Sequence, residues 1–251
     1  MNRHACALAF FVLPITFACG NDSNTTTNSP GSTNSGSKTE NSTPSTTKDA
    51  ATTSCTAPAG SACFDITFTG LWTVDSHPVN FPPNPHFSPL IGTTHNDQLT
   101  LWAPGQLATP GIQSMAETGN TSQLKTEIND HISKGVAQTL VEGKRIDATQ
   151  STTVSIVASE SFSLLTVTSM IAPSPDWFVG VYSLPLRENN EWIDEKTISF
   201  NTIYDAGTDD GPNFTSANAP ANPHKPIQQL LDQHFTKSSP PIARLVIKRV
   251  K

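Results

Sequence analysis

Two short phrases of the chain place three aspartates where their carboxylates can meet. Asp176 lies in ProSerProAspTrpPheValGly (173–180), and Asp205 and Asp209 lie in TyrAspAlaGlyThrAspAspGly (204–211). Both phrases carry the Pro and Gly residues that are typical of loops at strand ends. Ca²⁺ binds several oxygen ligands, and its charge relieves the repulsion between carboxylates that share one position. We therefore predict a calcium site held by these three aspartates.

The second phrase has a competing interpretation. An EF-hand is excluded, because Gly207 is third and Ser216 is twelfth from Asp205, where that loop carries an Asp or Asn and a closing Glu. Asp and Gly at this spacing also form ordinary turns, in which the carboxylate accepts hydrogen bonds from nearby amides. From the residues alone, both interpretations remain open.

The elements that would position these loops are mainly predicted β-strands. Apolar and polar residues alternate with a period of two, which is typical of a half-buried strand. The predicted strands are 64–68 with a continuation through Trp72 and Val74, 97–102, 152–158, 161–171, 177–182, 196–200 and 242–250. Short strands separated by Pro- and Gly-rich turns predict an all-β antiparallel sandwich.

One segment has a helical rather than a strand pattern. From Ser122 to Ile132, apolar residues recur at a spacing of four, at Leu124, Ile128 and Ile132, between polar neighbours. This pattern predicts a single short helix with one buried stripe.

The first nineteen residues carry the parts of an export signal. Arg3 and His4 precede the apolar run 7–13, and ThrPheAlaCys ends the segment at Cys19. A small residue before a Cys resembles a bacterial lipobox, so residues 1–18 are predicted to be a signal peptide and Cys19 to be lipidated. The lipid would anchor the chain to a membrane, with the outer membrane as the expected location. Free secretion after cleavage is the alternative.

The stretch 19–54 differs from the rest of the chain in composition. After Cys19 it consists almost wholly of Asn, Ser, Thr, Gly, Lys and Ala, without a large apolar side chain. Such a segment cannot offset the entropy of ordering its backbone, which predicts a disordered tether. The remaining part, 55–251, has a length that suits one domain.

Two cysteines remain in the predicted domain. Cys55 and Cys63 are separated by ThrAlaProAlaGlySerAla and are predicted to form a disulfide, because export leads to a compartment where disulfides persist. A zinc site is disfavoured, since no CxxC spacing or nearby His completes a ligand set. The net charge of −6, from 15 basic and 21 acidic residues, gives no electrostatic reason to expect nucleic acid.

Seven phrases appear in an order that resembles a known family. They are HisProValAsnPhePro (77–82), PheSerProLeuIleGlyThrThrHis (87–95), LeuTrp (101–102), AlaGluThrGly (116–119), the two aspartate phrases above, and ProProIleAlaArg (240–244). Together they resemble the spondin N-terminal domain, as found in mindin and F-spondin. The resemblance implies an eight-stranded, C2-like antiparallel β-sandwich of a secreted adhesion or matrix protein. It also implies calcium bound by aspartates at one end, which match Asp176, Asp205 and Asp209.

Catalytic motifs give no support to an enzyme. The chain has no GxSxG elbow, no HExxH helix and no Gly-rich phosphate loop. We therefore predict a non-enzymatic calcium-binding module for adhesion or recognition, at the cell surface or outside the cell, with an extracellular protein or glycan as partner. The alternatives are a calcium-stabilised structural domain of the cell envelope and a calcium-dependent hydrolase.

Overall fold

The computed structural model describes residues 55–250. The predicted signal peptide 1–18, the lipidation site Cys19 and the tether 19–54 lie outside the described residues. Within the described part, neither α-helix is long and apolar enough to cross a membrane.

The described chain consists mainly of β-strands, with two α-helices and one 3₁₀ turn. The helices are α1 (Pro110–Thr118) and α2 (Ser122–Ser133), and the 3₁₀ turn is Glu160–Phe162. The strands are β1 (Ser61–Gly70), β2 (His86–Phe87), β3 (Ile91–His95), β4 (Ala137–Glu142), β5 (Ile146–Asp147), β6 (Ser151–Ser159), β7 (Leu164–Ala172), β8 (Trp177–Pro185), β9 (Arg187–Glu188), β10 (Glu191–Trp192), β11 (Glu195–Phe200), β12 (Tyr204–Asp205), β13 (Gln228–Gln229) and β14 (Ala243–Val250).

The first sheet has four antiparallel strands in the order β11-β14-β1-β6. β1 lies at its centre, and the alternation along it buries Phe64, Ile66 and Phe68 completely. Burying a side chain of this size contributes about 1.5–3 kcal/mol relative to leaving it in water, so these positions anchor the sheet to the core.

The second sheet is built around β7. This strand pairs with β8 on one side, and on the other side with β3 along one part and β2 along another. β8 in turn pairs with β12, which brings the two aspartate-bearing segments next to each other.

The two sheets and the helices form three layers with two apolar cores. One core lies between the sheets and contains residues of β1, β14, β7 and β8. The other lies between the second sheet and the helices and includes Trp102, Ile112, Met115, Leu124 and Phe178. The predicted all-β antiparallel sandwich is therefore confirmed.

Several predicted elements differ from the structure in detail. The segment 97–102 is predicted to be a strand but forms a turn and an irregular stretch. Leu99, Leu101 and Trp102 in it are each buried. The chain also leaves β1 after Gly70, so Trp72 and Val74 do not continue the strand. The predicted helix is confirmed as α2, whereas α1 was not predicted.

The predicted cysteine pair lies at the entrance to the first sheet. Cys55 and Cys63 form a disulfide with Cα atoms 5.9 Å apart. Because Cys63 belongs to β1, the bond ties the first described residues to the central strand of that sheet.

Candidate metal centre

Strand pairing brings the first two predicted ligands together. Asp176 ends the turn between β7 and β8. Asp205 is the last residue of β12 and pairs with Trp177 at the start of β8. The backbone amide of Ala206 donates to the carbonyl oxygen of Asp176 at 3.1 Å. Residues 29 positions apart in the chain are therefore adjacent because of sheet pairing.

The Asp176 carboxylate is fully buried, and its two oxygens have different surroundings. Oδ2 accepts hydrogen bonds from the Thr208 amide at 2.7 Å, the Thr208 hydroxyl at 3.2 Å and the Asp209 amide at 3.1 Å. Oδ1 is buried and has no hydrogen-bond partner among residues 55–250. An unsatisfied buried acceptor costs about 1–3 kcal/mol and more when it is charged, so this oxygen calls for a partner of another kind.

The electrostatics of the two neighbouring carboxylates follow from this burial. Loss of hydration raises the pKa of Asp176 to about 7, and the negative charge of Asp205 adds to the rise. Burial also raises the pKa of Asp205, against the lowering by a hydrogen bond from Gly207. The charge of Asp205 thus disfavours ionisation of Asp176, which is the condition that a bound cation relieves.

Asp205 begins a tight loop whose shape depends on glycine. Its Oδ1 accepts a hydrogen bond from the Gly207 amide at 2.8 Å. Gly207 has a φ of 74°, and a Cβ atom there would lie 2.2 Å from the carbonyl oxygen of Lys225. Only glycine fits this position, so Gly207 holds the loop in the form that presents Thr208 to Asp176.

The structure gives Asp209 a different role from the other two aspartates. Its Oδ1 accepts from the Gly211 amide at 2.7 Å, and its Oδ2 accepts from the Ala219 amide at 3.1 Å. Asp209 therefore joins the loop 205–211 to the segment 219–221, as in the turn-forming interpretation of the sequence. The neighbouring Asp210 is exposed and pairs with Lys225.

The donor set fits a hard cation at two of the three predicted positions. Asp176 supplies a buried oxygen without a hydrogen-bond partner among the described residues, and Asp205 lies near it. Both carboxylate oxygens of Asp209, by contrast, already accept hydrogen bonds from amides. Each of them retains a second lone pair. Within the described residues, no three acidic, His or Cys side chains are grouped so that they could hold a metal ion. The three carboxylates thus do not form a closed cage in this conformation.

Sequence reasoning missed the part that Thr208 plays. Its amide and hydroxyl both donate to Asp176, and it is fully buried. The only sequence signal was its place after Gly207, where a backbone amide can be turned toward a neighbouring acid.

We expect Asp209→Ala to lower the free energy of unfolding by about 3 kcal/mol in chelator, because two amides lose a charged acceptor. Urea unfolding of the two proteins measures the difference. Asp210→Ala is the matched control and should change stability by less than about 0.5 kcal/mol, since its side chain is exposed. Equal effects of the two substitutions would contradict the joining role of Asp209.

Comparison with known proteins gives a consistent family. Residues 62–242 match the model of the Spondin_N family. The chain is 34% identical to Spondin-1 of Xenopus laevis over 209 residues, which are 76% of this chain and 25% of that protein. It is 30% identical to human Spondin-2 over 206 residues, which are 76% of this chain and 62% of that protein. The chain thus spans less than two thirds of the length of these relatives.

Proposed function

This chain belongs to the spondin N-terminal domain family, and we propose that it is a calcium-binding recognition module that acts at the cell surface or outside the cell. The proposed partner is an extracellular protein or glycan. We also propose that Cys19 carries a lipid that anchors the chain, with the Ser/Thr-rich tether as spacer. No step of the proposal requires catalysis.

One observation carries the calcium proposal. The Oδ1 atom of Asp176 is buried and has no hydrogen-bond partner among the described residues. The negative charge of Asp205 also disfavours ionisation of this carboxylate. A native fold rarely leaves a buried charged oxygen without a partner, and a cation bound next to it removes the penalty.

Asp176 and Asp205 would hold the ion, with Asp209 contributing through lone pairs that its amide bonds leave open. When bound, calcium would neutralise the carboxylates and leave coordination positions for a ligand oxygen from a partner. The role of this chain's own residues is to hold the acids in place, through Thr208, Gly207 and the turn before Asp176.

Hydrogen bonds within the loop favour recognition over a purely structural role for the ion. The Lys225 amide donates to the Gly207 carbonyl oxygen at 2.8 Å, and the Ala221 amide donates to the Thr208 carbonyl oxygen at 2.9 Å. Together with the Asp209 bonds, they shape the loop without a metal. The ion is therefore available for contact with a partner, and scaffolding of the cell envelope is the second candidate.

We expect a screen of the purified chain against arrayed glycans and matrix proteins to find binding in calcium that chelator removes. Asp176→Asn should abolish the same binding, because the variant lacks a charge for the ion. Asp210→Asn is the control and should keep it, since its carboxylate is exposed and paired with Lys225.

A partner that binds equally in calcium and in chelator would contradict the link between ion and recognition. If calcium raises the Tm but no arrayed partner binds in a calcium-dependent way, the structural candidate replaces the recognition module.

A further inference from the structure

A groove lies on the side of the sandwich where β8 of the second sheet faces β11 of the first. It has a volume of about 240 Å³. The side chains that line it include Val181, Tyr182 and Leu184 of β8, Ile198 and Phe200 of β11, and Tyr204 of β12. This volume is below that of typical small-molecule sites, so the groove suits one or two side chains rather than a whole ligand.

Both strands that border the groove have an edge without a neighbouring strand. β11 is the first strand of its sheet and pairs only with β14. β12 covers the outer edge of β8 only at Trp177 and Phe178, and no strand of the described chain pairs with the remaining residues, 179–185, on that side. Free strand edges present backbone donors and acceptors, and an added extended segment is what satisfies them.

Both tyrosines of the chain meet at this groove. Trp102 lies beneath them, with ring centroids 5.1 Å from Tyr182 and 5.0 Å from Tyr204 in edge-to-face arrangements. Tyr182 keeps 43% of its surface exposed although it is packed on this support. Rigidly held, partly exposed tyrosines are typical anchors of protein interfaces because they lose little conformational entropy on binding.

The lining also restricts the chemistry of an occupant. The remaining lining residues among those described are Gly180, Ser199 and Thr202, so no charged side chain lines the groove, although the chain has a net charge of −6. A charged side chain would lose hydration there without an opposite charge to compensate. The occupant must therefore insert uncharged side chains.

The Ser/Thr-rich segment 20–54 does not meet this requirement. Residues 20–54 contain no large apolar side chain, so they have nothing with which to fill the groove. Free strand edges beside an apolar groove are a template for pairing with another chain, so we assign the occupant to another protein.

We propose that this groove binds an extended, uncharged segment of another protein as an added β-strand, with alternate apolar side chains of that segment entering between Tyr182 and Ile198. The free edges supply affinity through main-chain hydrogen bonds, and the apolar lining selects the side chains. None of the three aspartates proposed for calcium lines the groove, so the inference does not depend on the proposed function.

The test uses the full chain and an array of end-blocked peptides that alternate Thr with Val, Ile, Leu, Phe or Tyr. We expect saturable binding of at least one peptide in fluorescence anisotropy, and loss of binding when prolines replace the Thr residues, because proline has no amide donor. Tyr182→Lys should weaken binding at least about tenfold, since it places a charge in the groove.

Three further variants separate this explanation from others. Ser199→Arg alters the exposed rim on β11 and should weaken binding as Tyr182→Lys does, with an unchanged urea unfolding curve. Val74→Lys changes a 54% exposed apolar residue that does not line the groove and should have no effect. Asp176→Asn should bind the peptide normally in chelator, so failure of the calcium proposal does not affect this result.

Absence of binding across the whole array, or equal binding by Tyr182→Lys and the unaltered chain, would overturn the proposal. Sedimentation equilibrium measures whether the groove instead binds a second copy of this chain. A chain that dimerises, and that becomes monomeric in Tyr182→Lys without binding any peptide, would assign the groove to a second copy.

Discussion

Calcium at about 100 times its Kd should stabilise the chain by about 2.7 kcal/mol, and Asp176→Asn should remove this effect. For a domain of this size, the stabilisation corresponds to a rise in Tm of about 5–10 °C. The physical reason is that Asp176 supplies the one buried carboxylate oxygen without a hydrogen-bond partner among the described residues. Differential scanning calorimetry in calcium and in chelator measures both values.

Asn has nearly the same shape as Asp, so a difference between Asp176→Asn and the unaltered chain reports the loss of the carboxylate charge. The Asn side-chain oxygen can accept the same hydrogen bonds from Thr208 and from the Asp209 amide, so the loop keeps its support. In chelator, Asp176→Asn should therefore be at least as stable as the unaltered chain near pH 8. Asp210→Asn should show the full calcium-dependent rise in Tm. A full rise in Asp176→Asn would place the ion elsewhere.

In chelator, raising the pH from 5 to 8 should cost the unaltered chain about 3 kcal/mol of stability relative to Asp176→Asn. The pKa of Asp176 is about 7 in the folded chain, against about 3.9 for an unperturbed Asp. Between these values the folded state binds a proton that the unfolded state has lost, so stability falls as the pH rises and the loss is complete above about pH 7.

The difference between the two proteins isolates this one group. Burial lowers the pKa of His77 and of His95, and both histidines affect stability at acid pH, but they are the same in the two proteins. Urea unfolding at several pH values in chelator gives the two curves. Parallel curves would show that Asp176 does not bind its proton more tightly in the fold. Saturating calcium should flatten the difference, because the ion replaces the proton.

Strand β1 was predicted from sequence because it has one buried face. Along β1, the buried Phe64, Ile66 and Phe68 alternate with half-buried polar residues, so the period of two is visible in the sequence. Trp177, at the start of β8, is buried in the same core and has 2% of its surface exposed.

The central strand β3 was not predicted, because its sequence IleGlyThrThrHis is neither an apolar run nor an alternation of apolar and polar residues. Its five residues are all buried, including Thr93, Thr94 and His95. Their polar atoms are satisfied across the sheet: the Thr93 hydroxyl donates to the Thr139 carbonyl oxygen, and His95 Nε2 lies 2.8 Å from the Thr166 hydroxyl. Such partners come from distant parts of the chain and leave no local pattern.

Helix α1 was missed although its end signals are present in the sequence. Thr109 caps its start through a hydrogen bond from the Ile112 amide, and Pro110 occupies the first turn. Gly119 ends it in the left-handed conformation. The helix is only nine residues long, so its apolar period is too short to stand out against the loops around it.

For the candidate site, the sequence by itself predicted which residues would supply the ligands, and it determined the family to which the phrases belong. Three aspartates in Pro- and Gly-rich loops predicted oxygen ligands, and strand ends predicted that they would be near each other. The sequence does not distinguish the roles of the individual carboxylates. An Asp that binds an ion and an Asp that accepts hydrogen bonds from amides occur in the same kind of loop.

Only the tertiary structure distinguishes the surroundings of the individual carboxylates. Pairing of β12 with β8 buries Asp176 next to Asp205 and leaves one oxygen without a donor, while the segment 219–221 supplies the amide that engages Asp209. The groove between β8 and β11 likewise arises only when two sheet edges meet. Both results depend on which distant backbone groups are placed opposite one another, and that is a property of strand pairing and layer packing rather than of local sequence.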